Sequence, residues 1–148
     1  MSPLNNHESA QRLHHLGFVV ANIEAGIQGF ARSLSATWDG RVFEDPIQKA
    51  RVAFLATSPR DPLIELVQPT VEGAPTWRFL NDRGGGLHHV CYEVANLETH
   101  VAEMKVRRCM VVRQPTPAVA FDGRRIAWIF TPENLLVELL ERSSQRLA

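Results

Sequence analysis

A chain of 148 residues, 45% apolar and 22% charged, has the make-up of an ordinary globular protein of one domain or two small fused modules. Its 16 lysines and arginines balance 16 aspartates and glutamates, so there is no basic surplus to hold a nucleic-acid backbone. No apolar run is long enough to span a bilayer, and the polar start MSPLNNHESAQR lacks a signal-peptide core; the expected compartment is the cytoplasm, with neither nucleic acid nor membrane as partner.

Residues 1–11 read as a flexible tail. LHHLGFVV, from Leu13, is rich in β-compatible residues and predicts a strand. Asn22 then stands as an N-cap, and Ile23, Ile27, Phe30 and Leu34 follow at helical spacing, which predicts a short amphipathic helix. Three strands are expected next, over about 37–44, 50–57 and 62–67. The segment PTVEGAPTWRFLNDRGGG, 69–86, is broken by Pro and Gly; it reads as a linker with helical turns in TWRFLND and a hinge at Gly84–Gly86. Beyond it LHHVCYEV predicts another strand, Asn96 another cap, and Leu97, Val101 and Met104 one face of another helix. Strands over about 108–113, 124–131 and 134–141 close the pattern.

The second half therefore repeats the first. Leu13/Leu87, His14/His88, His15/His89, Val20/Val94, Ala21/Ala95, Asn22/Asn96 and Glu24/Glu98 are identical at one constant offset. RVAFLAT from Arg51 falls on RIAWIFT from Arg125 at that offset, and LIEL falls on LVEL with one residue fewer between strands. The expected fold class is α+β: one domain over 12–142, built from module one (12–68), the linker (69–86) and module two (87–142), each β-α-β-β-β. Modules this small need to bury their faces against each other.

Alternation along the first strand of each module puts Leu16, Phe18 and Val20, and likewise Val90, Tyr92 and Val94, against the helices. His15 then points the other way beside Gly17, and His89 beside Cys91 and Glu93, whereas His14 and His88 fall on the helix side. Glu65 and Glu138 sit inside the apolar strands LIELV and LVELL, where a carboxylate is costly to bury without a partner. A lone strand histidine is ordinarily structural, and a lone strand glutamate ordinarily faces water. Here both types recur at matching places in both modules, and two histidines with two carboxylates suit one divalent cation such as Zn, Ni, Co or Mn. The remaining polar residues have plainer readings: His7 in the tail, His100 on the exposed side of a helix, and Arg124 and Arg125 as surface charge or contacts to an anion. Trp38, Trp77 and Trp128 read as packing, and Cys91 and Cys109, outside any CxxC pair, as free thiols.

Paired β-α-β-β-β modules with these histidines and glutamates resemble the vicinal oxygen chelate superfamily of glyoxalases, extradiol dioxygenases and bleomycin-resistance proteins. Within it LHHLGFVV, IELVQP, APTWRFLNDRGGGLHHVCYEV and VELLE are most similar to methylmalonyl-CoA epimerases. The resemblance implies a half-open, barrel-like mixed sheet around one metal ion held by His15, Glu65, His89 and Glu138, in a homodimer that binds a small molecule, an acyl-CoA among the options. It also implies an isomerase that abstracts an α-proton, with Glu138 as a proton-transfer group. The alternatives are a glyoxalase-like lyase or other metal enzyme of specialised metabolism and, of another class, a metal-free small-molecule-binding resistance protein. RVAFLA lacks the second carboxylate of the epimerase pattern, for which Glu44, Glu93 or Glu141 are the stand-ins; TPENLLVEL and QPTPAVAFDGRR also depart from that pattern.

Overall fold

The computed structural model of the chain describes residues 11–143. Module one opens with strand β1 (Gln11–Val19) and helix α1 (Ile23–Leu34). Asn22 caps this helix, its side chain accepting from the Ala25 amide at 2.8 Å. Strands β2 (Thr37–Trp38), β3 (Phe43–Asp45), β4 (Ala50–Ala56) and β5 (Leu63–Pro69) follow. The single strand expected over 37–44 is thus two short ones on the same edge of β4: Trp38 pairs with Leu55 and Phe43 with Val52. The stretch between them is longer than the part of β4 it faces, and Gly40, at φ 87°, lets it loop out.

Helix α2 (Trp77–Arg83) occupies the linker where helical turns were expected. Gly84, Gly85 and Gly86 all have positive φ and turn the chain into β6 (Gly86–Val94). They form a docked turn, not a hinge: a Cβ on Gly85 would meet the Val19 carbonyl oxygen at 2.6 Å. Module two continues with α3 (Leu97–Val106), again capped by its asparagine, then β7 (Met110–Pro117), a 3-10 turn (Val119–Phe121), β8 (Arg125–Phe130) and β9 (Leu136–Glu141). The expected N-terminal tail lies outside the described residues, except for Gln11, where β1 begins.

The strands form one open mixed sheet in the order β2-β4-β5-β1-β6-β9-β8-β7, with β3 beside β4. β1 runs parallel to β5, and β6 to β9; the modules meet in the antiparallel β1–β6 pair. The seam therefore runs through the two strands that carry the histidine pairs. Helices α1 and α3 cover the outer face. Ile23 and Ile27 of α1 pack on Ile64 and Leu66, and Leu97 and Val101 of α3 pack on Val137 and Leu139. Strand alternation then turns Glu65 and Glu138, each between two of these apolar residues, toward the inner face. Arg51 grips Glu24 at 2.8 Å, and Arg125 grips Glu98, which ties the first turn of each helix to the sheet and accounts for the recurrence of both residues. Among the described residues no helix is long and apolar enough to cross a membrane.

Leu139, fully buried under α3, should cost about 2–5 kcal/mol on truncation to Ala. Val106→Ala, at a side chain 85% exposed, should change stability by less than about 0.5 kcal/mol. Urea unfolding of both variants checks this; equal losses would contradict the packing described.

Candidate metal centre

His15 and His89 meet at the seam, both buried, with their Nε2 atoms 3.3 Å apart. Glu65 and Glu138 approach from β5 and β9, the strands that flank β1 and β6. Nε2 of His15 lies 3.5 Å from Glu65 Oε2 and 3.1 Å from Glu138 Oε1; Nε2 of His89 lies 3.2 Å from Glu65 Oε1. One donor atom from each of the four residues falls within 4.8 Å of all the others. The four side chains singled out in the sequence thus form one cluster.

Local sequence makes room for it. Gly17 sits beside both Glu65 and His89 in the ladder, and a Cβ there would lie 2.0 Å from Cε1 of His89. The imidazole occupies the space that the glycine leaves. On the module-two side Cys91 stands beside Glu138; burial, then the Glu138 charge, pushes its thiol pKa up.

The two outer histidines correct a simple alternation rule. Leu13 pairs with Tyr92 but His15 with Cys91, and Gly17 pairs with His89 but Phe18 with Leu87. His14 and His88 are the extra residues of two β-bulges, so neither faces a helix as expected. His14 packs edge-on to Phe121, and His88 lines the inner cavity between Phe79 and Trp128. Each brings Nδ1 to the Nδ1 of the inner histidine, at 2.8 Å for His14–His15 and 2.9 Å for His88–His89. In each pair one nitrogen donates and the other accepts. An imidazole that offers Nε2 to a cation keeps its proton on Nδ1, so His14 and His88 would be the acceptors that orient it.

Burial lowers the pKa of His15 to about 4, and burial with the neighbouring inner histidine does the same for His14 and His88. Burial also acts to lower His89, but its bond to Glu65 and the charges of Glu65 and Glu138 outweigh this and leave it raised. Burial raises Glu138 against the opposing charge of His89. Oε1 of Glu138 is buried and makes no hydrogen bond, its approach to His15 lacking the geometry of one. Two nitrogen bases and two carboxylates turned toward one point, with an orphaned oxygen among them, fit a divalent cation of the Zn, Co, Ni or Mn kind.

Above the cluster opens a cavity of about 480 Å³, the size of a small-molecule site. Its walls are largely apolar, with Val52, Val67, Phe121, Ile126 and Trp128 prominent. Trp128 is thus part of the site, its ring 4.7 Å from that of His89, centroid to centroid. Trp38 and Trp77 are partly exposed and do not line it. Arg124 pairs with Glu93, and Arg125 with Glu98 and Glu141. Glu44 is exposed beside Arg51. None of Glu44, Glu93 and Glu141 lines the cavity. Asp45 does line it, a residue that Asp-Pro in a short turn disguises in sequence as turn chemistry. His100 is buried, contrary to expectation, with Nε2 unpartnered; His7 lies outside the described residues. Cys91 and Cys109 are free.

A family model described as the glyoxalase/bleomycin resistance protein/dioxygenase superfamily matches residues 14–128. The ethylmalonyl-CoA/methylmalonyl-CoA epimerase of Cereibacter sphaeroides is 30% identical over 131 residues, covering 86% of this chain and 96% of that protein. Among solved structures, a hypothetical protein of Bacillus halodurans superposes with a TM-score of 0.81 at 26% identity, over 94% of this chain and 99% of the other. The methylmalonyl-CoA epimerase of Mycobacterium tuberculosis superposes at 0.78 and 24% identity, over 90% and 89%, a likeness of fold.

A histidine whose folded pKa is near 4 binds fewer protons when folded than the unfolded group, with its ordinary value of 6.5. Its contribution to stability is therefore lost as pH falls from 6.5 toward 4. In metal-free protein the Tm of wild type minus that of His88→Phe should fall across this window and be flat above it. A pH-independent difference would contradict the assignment.

Proposed function

The chain belongs to the glyoxalase/bleomycin resistance protein/dioxygenase superfamily, and from that membership we propose that it is a metal-dependent isomerase of the methylmalonyl-CoA epimerase kind. The observation that carries this reading is the set of four inward donors, His15, Glu65, His89 and Glu138, at the floor of an apolar cavity. A relative 30% identical over nearly its whole length bears the epimerase name, which supports an acyl-CoA as the substrate class. A homodimer in the cytoplasm belongs to the same reading.

A divalent cation held by the four residues supplies Lewis-acid stabilisation to negative charge developing on an acyl oxygen. The chain's own groups do the rest. Glu138, at the floor of the cavity, takes the proton from the carbon α to the thioester carbonyl. The C–H electron pair delocalises into the carbonyl to give an enolate, which accepts a proton on its other face. Phe121, Ile126 and Trp128 keep water from quenching the carbanionic carbon. His14 and His88 hold the planes of the inner imidazoles through the Nδ1 contacts.

Incubation of the cobalt-loaded protein with methylmalonyl-CoA in heavy water, read by mass spectrometry, tests the reading. Deuterium should enter the α-position well above the enzyme-free rate, and Glu138→Gln should lower uptake by about 100-fold or more. No uptake with metal confirmed bound would overturn the epimerase reading and leave a glyoxalase-like lyase as the reaction to test.

A further inference from the structure

Strand β7 does not alternate regularly. Val111 pairs with Ile129 of β8, but Arg113, two residues on, pairs with the adjacent Trp128. Val112 is thus the extra residue of a bulge. Val111 packs on the apolar cluster beneath α3, on the outer face. Unbroken alternation would put Arg113 on that same face. The bulge turns it instead to the side of Trp128, where it lines the cavity. Trp128 pairs in turn with Glu138 of β9. The backbone of Arg113 therefore lies two strands, about 10 Å, from that of Glu138.

The guanidinium is aimed but unspent. Among the described residues Arg113 is the one arginine or lysine that lines the cavity. It is partly buried, and its side chain makes no ion pair or hydrogen bond with any of them. Arg51, Arg124 and Arg125 differ in just this respect, each being held by glutamate. The carboxylates that line the cavity leave Arg113 unpaired as well. A second free donor borders the same tryptophan: His88, with ring centroids 6.4 Å apart. When His88 accepts from His89 at Nδ1, its own proton sits on Nε2, which has no partner among the described residues. A planar cation with its N–H groups in a fork matches the paired oxygens of a carboxylate or a phosphate.

We propose that Arg113 is a specificity-determining residue that holds an oxyanion of the substrate on the module-two side of the cavity, away from the four metal donors; the choice of substrate rests on the epimerase reading. A malonyl-type acyl-CoA carries two such groups, the carboxylate on the α-carbon and the phosphates of its nucleotide end. The same chemistry recognises either one: parallel N–H donors of the fork on two oxygens, with the attraction strengthened by the apolar wall of Val112, Ile126 and Leu136. The charge of that oxyanion does not change while the α-proton moves. The contact therefore binds ground state and transition state alike, and acts on KM and not on kcat.

Arg113→Gln removes the charge and keeps a polar side chain, whereas Arg113→Lys keeps the charge without the fork. Deuterium uptake by cobalt-loaded wild type and variants is measured against the concentration of methylmalonyl-CoA and of methylmalonyl-pantetheine, which has the carboxylate but no phosphate. With methylmalonyl-CoA, Arg113→Gln should raise KM about 10- to 100-fold with kcat nearly unchanged, and Arg113→Lys should recover part of the loss. Added salt should raise KM more for wild type than for Arg113→Gln. The same rise with the pantetheine thioester assigns the carboxylate, and a rise confined to the CoA thioester assigns the phosphates. Unchanged KM for both thioesters would make Arg113 a solvated rim charge, and a fall in kcat together with Tm and cobalt affinity would make it structural; either overturns the proposal. Calorimetric titration with methylmalonyl-CoA keeps the two readings apart. Binding weakened by Arg113→Gln, with no exchange in wild type, would sink the epimerase reading alone; a wild type that does not bind would sink both.

Discussion

Two glutamates buried in the middle of apolar strands set the terms for the rest of the molecule. An uncompensated carboxylate in such a place costs several kcal/mol, and two within reach of each other cost more. The histidines alone do not resolve this. Burial holds His15 neutral near ordinary pH, and His89 offers one positive charge at most. A divalent cation held there would answer both carboxylates at once and take the lone pairs of both Nε2 atoms. The topology follows from the need to bring these groups together. β5 and β9 must flank β1 and β6 in parallel, and the modules must join along the pair that carries the histidines.

Duplication supplies the cluster, and departures from duplication supply its chemistry. Gly17 makes space for the His89 ring, whereas its counterpart Cys91 fills the space beside Glu138. Module one ends its edge with β3 and Asp45; module two instead folds a 3-10 turn inward, so that Phe121 stacks on His15. One side of the cavity is thus acidic and the other an apolar cover.

The repeat made most of the fold legible. Identical positions such as Asn22/Asn96 marked the helix caps, and LIELV and LVELL set a costly buried glutamate at matching places in both modules. The four-residue cluster was legible for the same reason, since matching residues in a paired module converge on its axis. What was not legible depends on long-range register. The bulges at His14 and His88 arise where β1 and β6 slip against each other, and no local pattern in either strand announces a slip in their pairing. Asp45 reaches the cavity because the strand expected over 37–44 breaks at Gly40 and resumes along β4. His100 is buried although its helix position looked solvent-facing, because α3 packs on β7 and β8 as well as β9.

The central claim is that His15, Glu65, His89 and Glu138 bind one cation between the modules. X-ray absorption at the cobalt edge of the cobalt-loaded protein tests it most directly. The account predicts a shell of oxygen and nitrogen donors with multiple scattering from two imidazoles, and from one imidazole in His15→Ala. Cobalt bound without imidazole scattering, or a spectrum unchanged by His15→Ala, would contradict it.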